Sequence, residues 1–144
     1  MPKKEQLEEK MMNIEYLNTM PEIANKYDID LEAGEKVVFT ALLKTFGTEK
    51  DSVLGNNGSK FTLTNQRIIA DNGLGTWTVD ISEDISECKK VEYKHLFGLI
   101  KGVYFSVNLN KEVVFHNGTQ ILTGYRFYFD KEDTMIFEEI TNNL

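Results

Sequence analysis

The chain has 144 residues, 41% of them hydrophobic, and a formal net charge of −7. This length predicts one domain, and the hydrophobic fraction is large enough to form a core. The acidic balance disfavours nucleic-acid binding and broad contact with anionic membranes, because both require clustered Lys and Arg.

The cysteine content and the apolar runs predict the cellular compartment. Cys88 is the single cysteine, so an internal disulfide is excluded, as is typical of a reducing environment. The N-terminus shows no apolar run of the signal-peptide type, and no stretch approaches the roughly 20 apolar residues that a membrane span needs. These observations predict a cytoplasmic protein in which Cys88 lies in the core or in a strand.

Residues 1–33 are predicted to form a helical N-terminal extension. An apolar stripe at helical spacing runs along the first helix, residues 3–18, and consists of Leu7, Met11, Ile14 and Leu17. A capping box from Thr19 to Glu22, with a proline in the first turn, predicts a second helix over residues 20–27. The apolar stripe either packs on the main domain or forms a face that docks on a protein partner or a second subunit.

Residues 34–144 are predicted to form one antiparallel β domain. Hairpin turns are indicated by three Asn-Gly pairs, since both residue types tolerate positive φ: Asn57-Gly58, Asn72-Gly73 and Asn117-Gly118. The apolar run over residues 37–43 predicts a buried first strand, and residues 44–59 predict a long polar loop that can hold a short strand around Val53 and Leu54.

Further along the chain, alternating apolar and polar residues predict half-buried strands. These strands cover residues 61–64, 67–70, 76–81, 86–94, 103–110, 112–116 and 125–129. The chain ends in a helix with Asp130 as its N-cap. Its apolar stripe is predicted to lie against the sheet and consists of Ile136, Phe137, Ile140 and Leu144. The predicted fold is therefore mainly β, with about seven strands and a C-terminal amphipathic helix.

This order of elements resembles the pleckstrin-homology (PH) superfold. Within residues 58–69, the tetrad Thr64-Asn65-Gln66-Arg67 resembles the hairpin motif of GRAM-like and bacterial PH-like domains. The resemblance covers residues 34–144 and implies a PH-like antiparallel barrel capped by its C-terminal helix. The tetrad itself indicates structural roles, with Asn65 at a left-handed turn position and Arg67 paired across strands or bonded to turn carbonyls.

The resemblance leaves the function open, because one scaffold hosts unrelated functions. Eukaryotic PH-like domains often bind phosphoinositides through basic residues in the loop after the first strand. In this chain, the charged residues of that loop sum to zero: Lys44, Glu49, Lys50 and Asp51. Strong headgroup recognition needs several converging cations, so this loop argues against a phosphoinositide site there.

A better candidate surface is a lysine-rich segment with an apolar loop inside it. Its residues are Lys89, Lys90, Lys94, Phe97, Leu99, Ile100 and Lys101. Three hypotheses stay open for the apolar part. It folds inward and closes the barrel mouth, it binds a protein partner, or it enters a bilayer interface.

The sequence predicts neither a catalytic site nor a metal or cofactor site. Two histidines and one cysteine cannot form a zinc site of the usual kind, the carboxylates lie in solvated runs, and no phosphate-binding glycine motif occurs. The predicted function is a non-enzymatic interaction module for protein–protein binding or self-association. The alternative is weak peripheral binding to membrane lipids through residues 94–101, and an enzyme is the least favoured hypothesis.

Overall fold

The computed structural model describes residues 14–50, 53–95, 97–98, 100–115 and 120–143. Within these residues the strands are β1 (Val37–Thr48), β2 (Val53–Thr64), β3 (Arg67–Asp71), β4 (Thr76–Asp80), β5 (Ile85–His95), β6 (Ile100–Phe115) and β7 (Gln120–Tyr128). The helices are α1 (Ile14–Thr19), α2 (Ile81–Asp84) and α3 (Lys131–Asn142).

The strands form one antiparallel sheet in the order β4-β3-β2-β1-β7-β6-β5. Its centre is a cluster of phenylalanine rings from β1, β2, β6 and β7, so the sheet wraps around a common core. Helix α3 completes this core, because the ring centroid of its Phe137 lies 4.7 Å from that of Phe105 and 5.5 Å from that of Phe61. The predicted mainly β fold with about seven strands and a C-terminal helix is confirmed.

The predicted apolar stripe of the C-terminal helix is only partly buried. Phe137 and Ile140 are buried, whereas Ile136 is 43% exposed. Leu144 lies outside the described residues. Asp130 is the N-cap as predicted, and its Oδ1 accepts a hydrogen bond from the Asp133 backbone N–H.

The predicted long loop at residues 44–59 is wrong, since this segment forms the second half of β1 and the first half of β2. The reason is a bulge between Leu43 and Thr45. Both Leu43 and Phe46 are buried, although they lie three residues apart. The alternation of buried and exposed side chains along β1 is therefore interrupted at the bulge, and a sequence pattern of period two does not continue through it. The Phe46 ring then stacks on the Phe127 ring of β7, with 5.3 Å between the ring centroids. This contact holds the C-terminal part of β1, residues 44–48, against β7.

The Asn-Gly pairs differ in their structural roles. Asn72-Gly73 forms the β3–β4 turn as predicted, with Gly73 at φ 88°. The prediction of a turn at Asn57-Gly58 is wrong, because this pair lies inside β2. Gly58 has φ 105° there, so the glycine serves an irregular strand. Asn117-Gly118 lies outside the described residues.

Two strand boundaries also differ from the prediction. Strand β6 continues through Phe115 without a turn, so the separate strands predicted at residues 103–110 and 112–116 are one strand with a register shift between Asn108 and Val113. Ile81 was predicted in a strand but begins α2. The Asp80 side chain accepts a hydrogen bond from the Glu83 N–H and caps α2. The strand therefore ends at Asp80, one residue before its predicted end.

The second N-terminal helix, predicted over residues 20–27, is absent. The Thr19 hydroxyl bonds back to the Tyr16 carbonyl at 2.6 Å instead of capping a following helix. The Asn25 side chain binds both the N–H and the carbonyl of Ile29 at 2.8 Å, which fixes a loop. Asn side chains compete with helical hydrogen bonds in this way.

The β2–β3 turn is held by a buried ion pair that includes Arg67. Arg67 binds both carboxylate oxygens of Glu35 at 2.8 Å, and the Thr64 hydroxyl donates to Glu35 at 2.6 Å. Burial opposes ionisation of Glu35, but the bonds from Arg67 and Thr64 outweigh it and lower the pKa of this carboxyl. Asn65 does not adopt the predicted left-handed conformation, because the described non-glycine residues with positive φ are Asp28 and Phe97. Its side-chain oxygen accepts a hydrogen bond from the Lys36 N–H at 3.0 Å. The tetrad therefore joins the turn to the chain segment that precedes β1.

Candidate binding surface

The turn between β5 and β6 presents Phe97 to solvent. Its relative exposure is 107%, and the φ angles of Phe97 and Gly98 are 57° and 86°. Such a pair of positive φ angles usually falls on Asn-Gly, and a phenylalanine there costs on the order of 1–3 kcal/mol. The hypothesis that the apolar loop folds inward is wrong for Phe97. Leu96 and Leu99 lie outside the described residues, and the side chain of Ile100 is not described.

The base of this hairpin carries two positive charges. Lys94 of β5 lies directly opposite Lys101 of β6, and both side chains are exposed. Like charges in this position destabilise a strand pair by about 0.2–1 kcal/mol. Neither lysine forms an ion pair with any residue that the structure describes. The hairpin tip therefore combines an exposed aromatic ring with two lysines that form no ion pair among the described residues.

The other two lysines of the predicted surface are paired with carboxylates. Lys89 lies 3.6 Å from Glu87. Lys90 donates to Glu138 of α3 at 2.8 Å and lies 3.6 Å from Glu92. The structure thus divides the predicted surface into the β5–β6 hairpin tip and a paired segment that fastens β5 to α3.

A cleft of about 470 Å³ lies beside the hairpin. Three lysines from different elements line it: Lys44 of β1, Lys101 of β6 and Lys131 of α3. No carboxylate of the described residues lines it, although the chain contains 23 Asp and Glu residues. We name this site the lysine cleft. Sequence reasoning missed it, because Lys44 was assigned to a loop and Lys131 is distant from both partners in the sequence.

Tyrosines form part of the wall of the lysine cleft. Tyr93 covers its cross-strand neighbour Gly102, where an added Cβ would lie 2.2 Å from the Tyr93 ring. The ring of Tyr104 lies 5.9 Å from that of Tyr93 and 5.2 Å from that of Tyr128. Burial is the main cause that raises the pKa of Tyr128, so its hydroxyl is protonated at neutral pH. The cleft therefore joins a cationic part to an aromatic part.

The predicted partner face of the N-terminal helix is only partly within the described chain. Leu7 and Met11 lie outside the described residues, and Ile14 belongs to α1 without a described side chain. Leu17 is fully buried in the core. Leu17 is thus not available to a partner, while a face at Leu7 and Met11 stays a prediction.

Other reactive groups do not form a site in the described part of the chain. Cys88 packs against the core, and burial, followed by the charge of Glu87, raises the pKa of its thiol to about 12. A thiol with this pKa is a poor nucleophile at neutral pH. No cluster of His, Cys, Asp and Glu among the described residues could hold a metal ion. No described helix is both long enough and apolar enough to cross a membrane.

Comparisons with known proteins agree with this description of the fold. No protein-family model matches the chain, and no curated protein matches it. Among solved structures, the chain is similar to the Vps36 N-terminal PH domain with a TM-score of 0.55 and 14% sequence identity. The similarity covers 86% of this chain and 89% of that domain. The chain therefore has a PH-like fold, as the sequence resemblance implied, while its GRAM-like and bacterial character stays a prediction.

Proposed function

We propose that this protein is a non-enzymatic, cytoplasmic binding module that attaches to anionic membrane surfaces through the β5–β6 hairpin tip. The observation that carries this proposal is the fully exposed, left-handed Phe97 next to Lys94 and Lys101, which have no ion-pair partner in the described part of the chain. A PH-like fold supports a binding role in general, since PH domains are typically interaction modules. The exposure of Phe97 favours the lipid alternative over the protein–protein function that the sequence favoured.

Two physical effects act together at this tip. An aromatic side chain enters the boundary between headgroups and acyl chains, and each lysine near an anionic surface adds about 1 kcal/mol of attraction. The rest of the acidic chain is repelled by the same surface, so attachment is confined to one end of the molecule. A backbone conformation that costs stability at Phe97 is explained if the ring must point outward.

The test is sedimentation with phosphatidylglycerol vesicles, using phosphatidylcholine vesicles as the neutral reference. Phe97→Asp should abolish pelleting. Leu74→Asp is the matched control, because Leu74 is 96% exposed in another hairpin turn and the change in charge is the same. Replacing both Lys94 and Lys101 by Gln should weaken attachment about 30-fold, from about 1 kcal/mol per lysine. Equal pelleting of the Phe97→Asp and Leu74→Asp variants would rule out the proposal.

A protein partner is the second candidate, supported by a different surface. Val114 and Ile121 are cross-strand neighbours on β6 and β7, with exposures of 65% and 53%. Two adjacent exposed aliphatic side chains are a small apolar patch of the kind found in interfaces. If this patch mediates self-association, Ile121→Lys should convert a concentration-dependent mass in sedimentation equilibrium into that of a monomer. A wild-type mass that is monomeric at all concentrations would exclude self-association.

A further inference from the structure

The two Asn-Gly pairs in the described part of the chain have different surroundings. At the pair inside β2, both Asn57 and Gly58 are exposed, and the Asn57 side chain forms no hydrogen bond with any residue that the structure describes. A Cβ built at Gly58 would meet no atom within 4 Å. The side-chain amide of Asn57 and the backbone that follows it are therefore both open to water.

The pair in the β3–β4 turn is held by hydrogen bonds instead. The Asn72 Oδ1 accepts the Leu74 N–H at 2.8 Å, and its Nδ2 donates to the Leu54 carbonyl. The N–H of Gly73 donates to the Asp71 carboxylate at 2.7 Å. Any reaction between the Asn72 side chain and the Gly73 nitrogen must first break these bonds.

An asparagine that precedes glycine can lose its side-chain amide without an enzyme. A base takes the proton of the glycine N–H, the nitrogen attacks the asparagine Cγ, and ammonia leaves as a cyclic succinimide closes. Water then opens this ring at either carbonyl and gives aspartate or isoaspartate. Nothing is oxidised or reduced, and water is the co-reactant. Glycine favours the attack because it has no side chain that obstructs its nitrogen.

We propose that Asn57 is a site of spontaneous deamidation and that the fold protects Asn72 from the same reaction. The contrast between a free amide and a bonded one carries this proposal, since the two dipeptides are identical. The reaction requires neither a partner nor a membrane, so the proposal goes beyond attachment by the hairpin tip.

The position of Asn57 in the sheet suits both products. Between the pairs that Asn56 and Ser59 form with β1, β2 contains one residue more than β1, and Lys44 is the β1 residue opposite this bulge. Isoaspartate lengthens the main chain by one carbon atom, which a bulge accommodates more readily than a regular ladder does. Either product also adds a negative charge to β2 opposite Lys44, in a chain whose net charge is already −7.

The test incubates the full chain in mildly alkaline buffer and follows its tryptic peptides over time by mass spectrometry. The three Asn-Gly pairs fall in separate peptides, residues 51–60, 68–89 and 112–126. We expect the mass gain from exchange of NH2 for OH to be located at Asn57 by fragmentation. Deamidation at Asn72 should be at least about fivefold slower, the factor that corresponds to one broken hydrogen bond.

Two controls separate the effect of the fold from that of the sequence. In concentrated urea, Asn57 and Asn72 should deamidate at similar rates, because both precede glycine and neither is held by the fold. Asn57→Gln should leave the mass of peptide 51–60 unchanged, because the longer side chain closes a less favourable ring.

Each outcome decides the proposal. Deamidation of Asn57 in the folded chain at a rate close to its rate in urea, with Asn72 intact, supports it. An Asn57 that persists in the folded chain but reacts in urea overturns it, as do equal rates at Asn57 and Asn72 in the folded chain. A mass gain of peptide 51–60 that persists in Asn57→Gln places the reaction at Asn56 and also overturns it.

Discussion

At the scale of single residues, the Glu35–Arg67 pair determines how the chain before β1 is held. The Glu35 side chain is 0% exposed and that of Arg67 is 18% exposed, so their charges compensate each other away from water. Arg67 also donates to the Asp30 carbonyl at 2.9 Å. One guanidinium thus joins the β2–β3 turn to the segment that leads into β1.

We expect Arg67→Ala to destabilise the protein by about 3–5 kcal/mol, because it leaves a buried carboxylate without its counter-ion. Adding Glu35→Gln to this variant should recover part of the loss. Urea unfolding of the two single variants and the double variant measures this coupling.

The Glu35–Arg67 pair also predicts a pH dependence of stability. Because the pKa of Glu35 is lowered from the ordinary value of 4.5, the pair's contribution to stability is complete above that value and declines as the pH falls through the lower folded-state pKa. A wild-type advantage over Glu35→Gln that is unchanged down to about pH 2 would contradict this assignment.

Gly102 is the second residue with a specific role. Its missing side chain leaves room for the Tyr93 ring, because a Cβ added at Gly102 would lie 2.2 Å from that ring and would force one of the two to shift. Gly102→Ala should therefore displace the Tyr93 ring while the fold is retained. Gly75→Ala is the control, since its added Cβ would lie at an ordinary 3.6 Å from the Trp77 ring. Ring-proton shifts confined to Tyr93 and its neighbours would distinguish local displacement from unfolding.

At the scale of elements, the β5–β6 hairpin combines two unfavourable features. The like-charged pair of Lys94 and Lys101 and the left-handed Phe97 both reduce its stability. Features that lower stability without a packing benefit are typical of functional surfaces. The hairpin is therefore the element in which stability and function are expected to oppose each other.

Lys94→Glu separates these two properties. It places opposite charges on facing positions of β5 and β6, so the free energy of unfolding should rise by about 0.2–1 kcal/mol. The same change should reduce pelleting with anionic vesicles, because it removes one positive charge and adds a negative one. Urea unfolding and vesicle sedimentation on one preparation provide both values. If this variant is more stable and still pellets like the wild type, the lysines of the hairpin are not part of the attachment surface.

The elements also show which features a single sequence can predict. The C-terminal helix and the strand pair around Asn65 follow from local signals, namely an N-cap, an apolar stripe and a turn residue. Strand β1 was predicted too short because the bulge at Leu43–Thr45 reverses the alternation, and a bulge leaves no clear mark in the sequence. The pairing of Glu35 with Arg67 depends on how distant segments align in space, and the hydrophobic periodicity of the sequence does not predict that alignment. The lysine cleft was missed for the same reason.

At the scale of the whole molecule, several lysines are concentrated at one end, although the chain is acidic overall. The chain has a net charge of −7, but the lysines of the cleft and the hairpin tip lie together at the end formed by the β5–β6 turn and the start of α3. An anionic surface therefore attracts one end and repels the remainder. For the proposed membrane attachment, we expect this distribution to orient the protein, although its net charge is negative.

The balance between attraction and repulsion predicts a strong dependence on salt. The screening length is about 10 Å at 0.1 M salt and about 3 Å at 1 M, so the contribution of the lysines should disappear across this range. We expect pelleting with phosphatidylglycerol vesicles to be high at low salt and close to the phosphatidylcholine reference at high salt. The double variant Lys94→Gln/Lys101→Gln should pellet weakly at every salt concentration, with little dependence on salt. Wild-type attachment that persists at high salt would mean that insertion of Phe97 dominates, and the lysines would then have no more than a minor role.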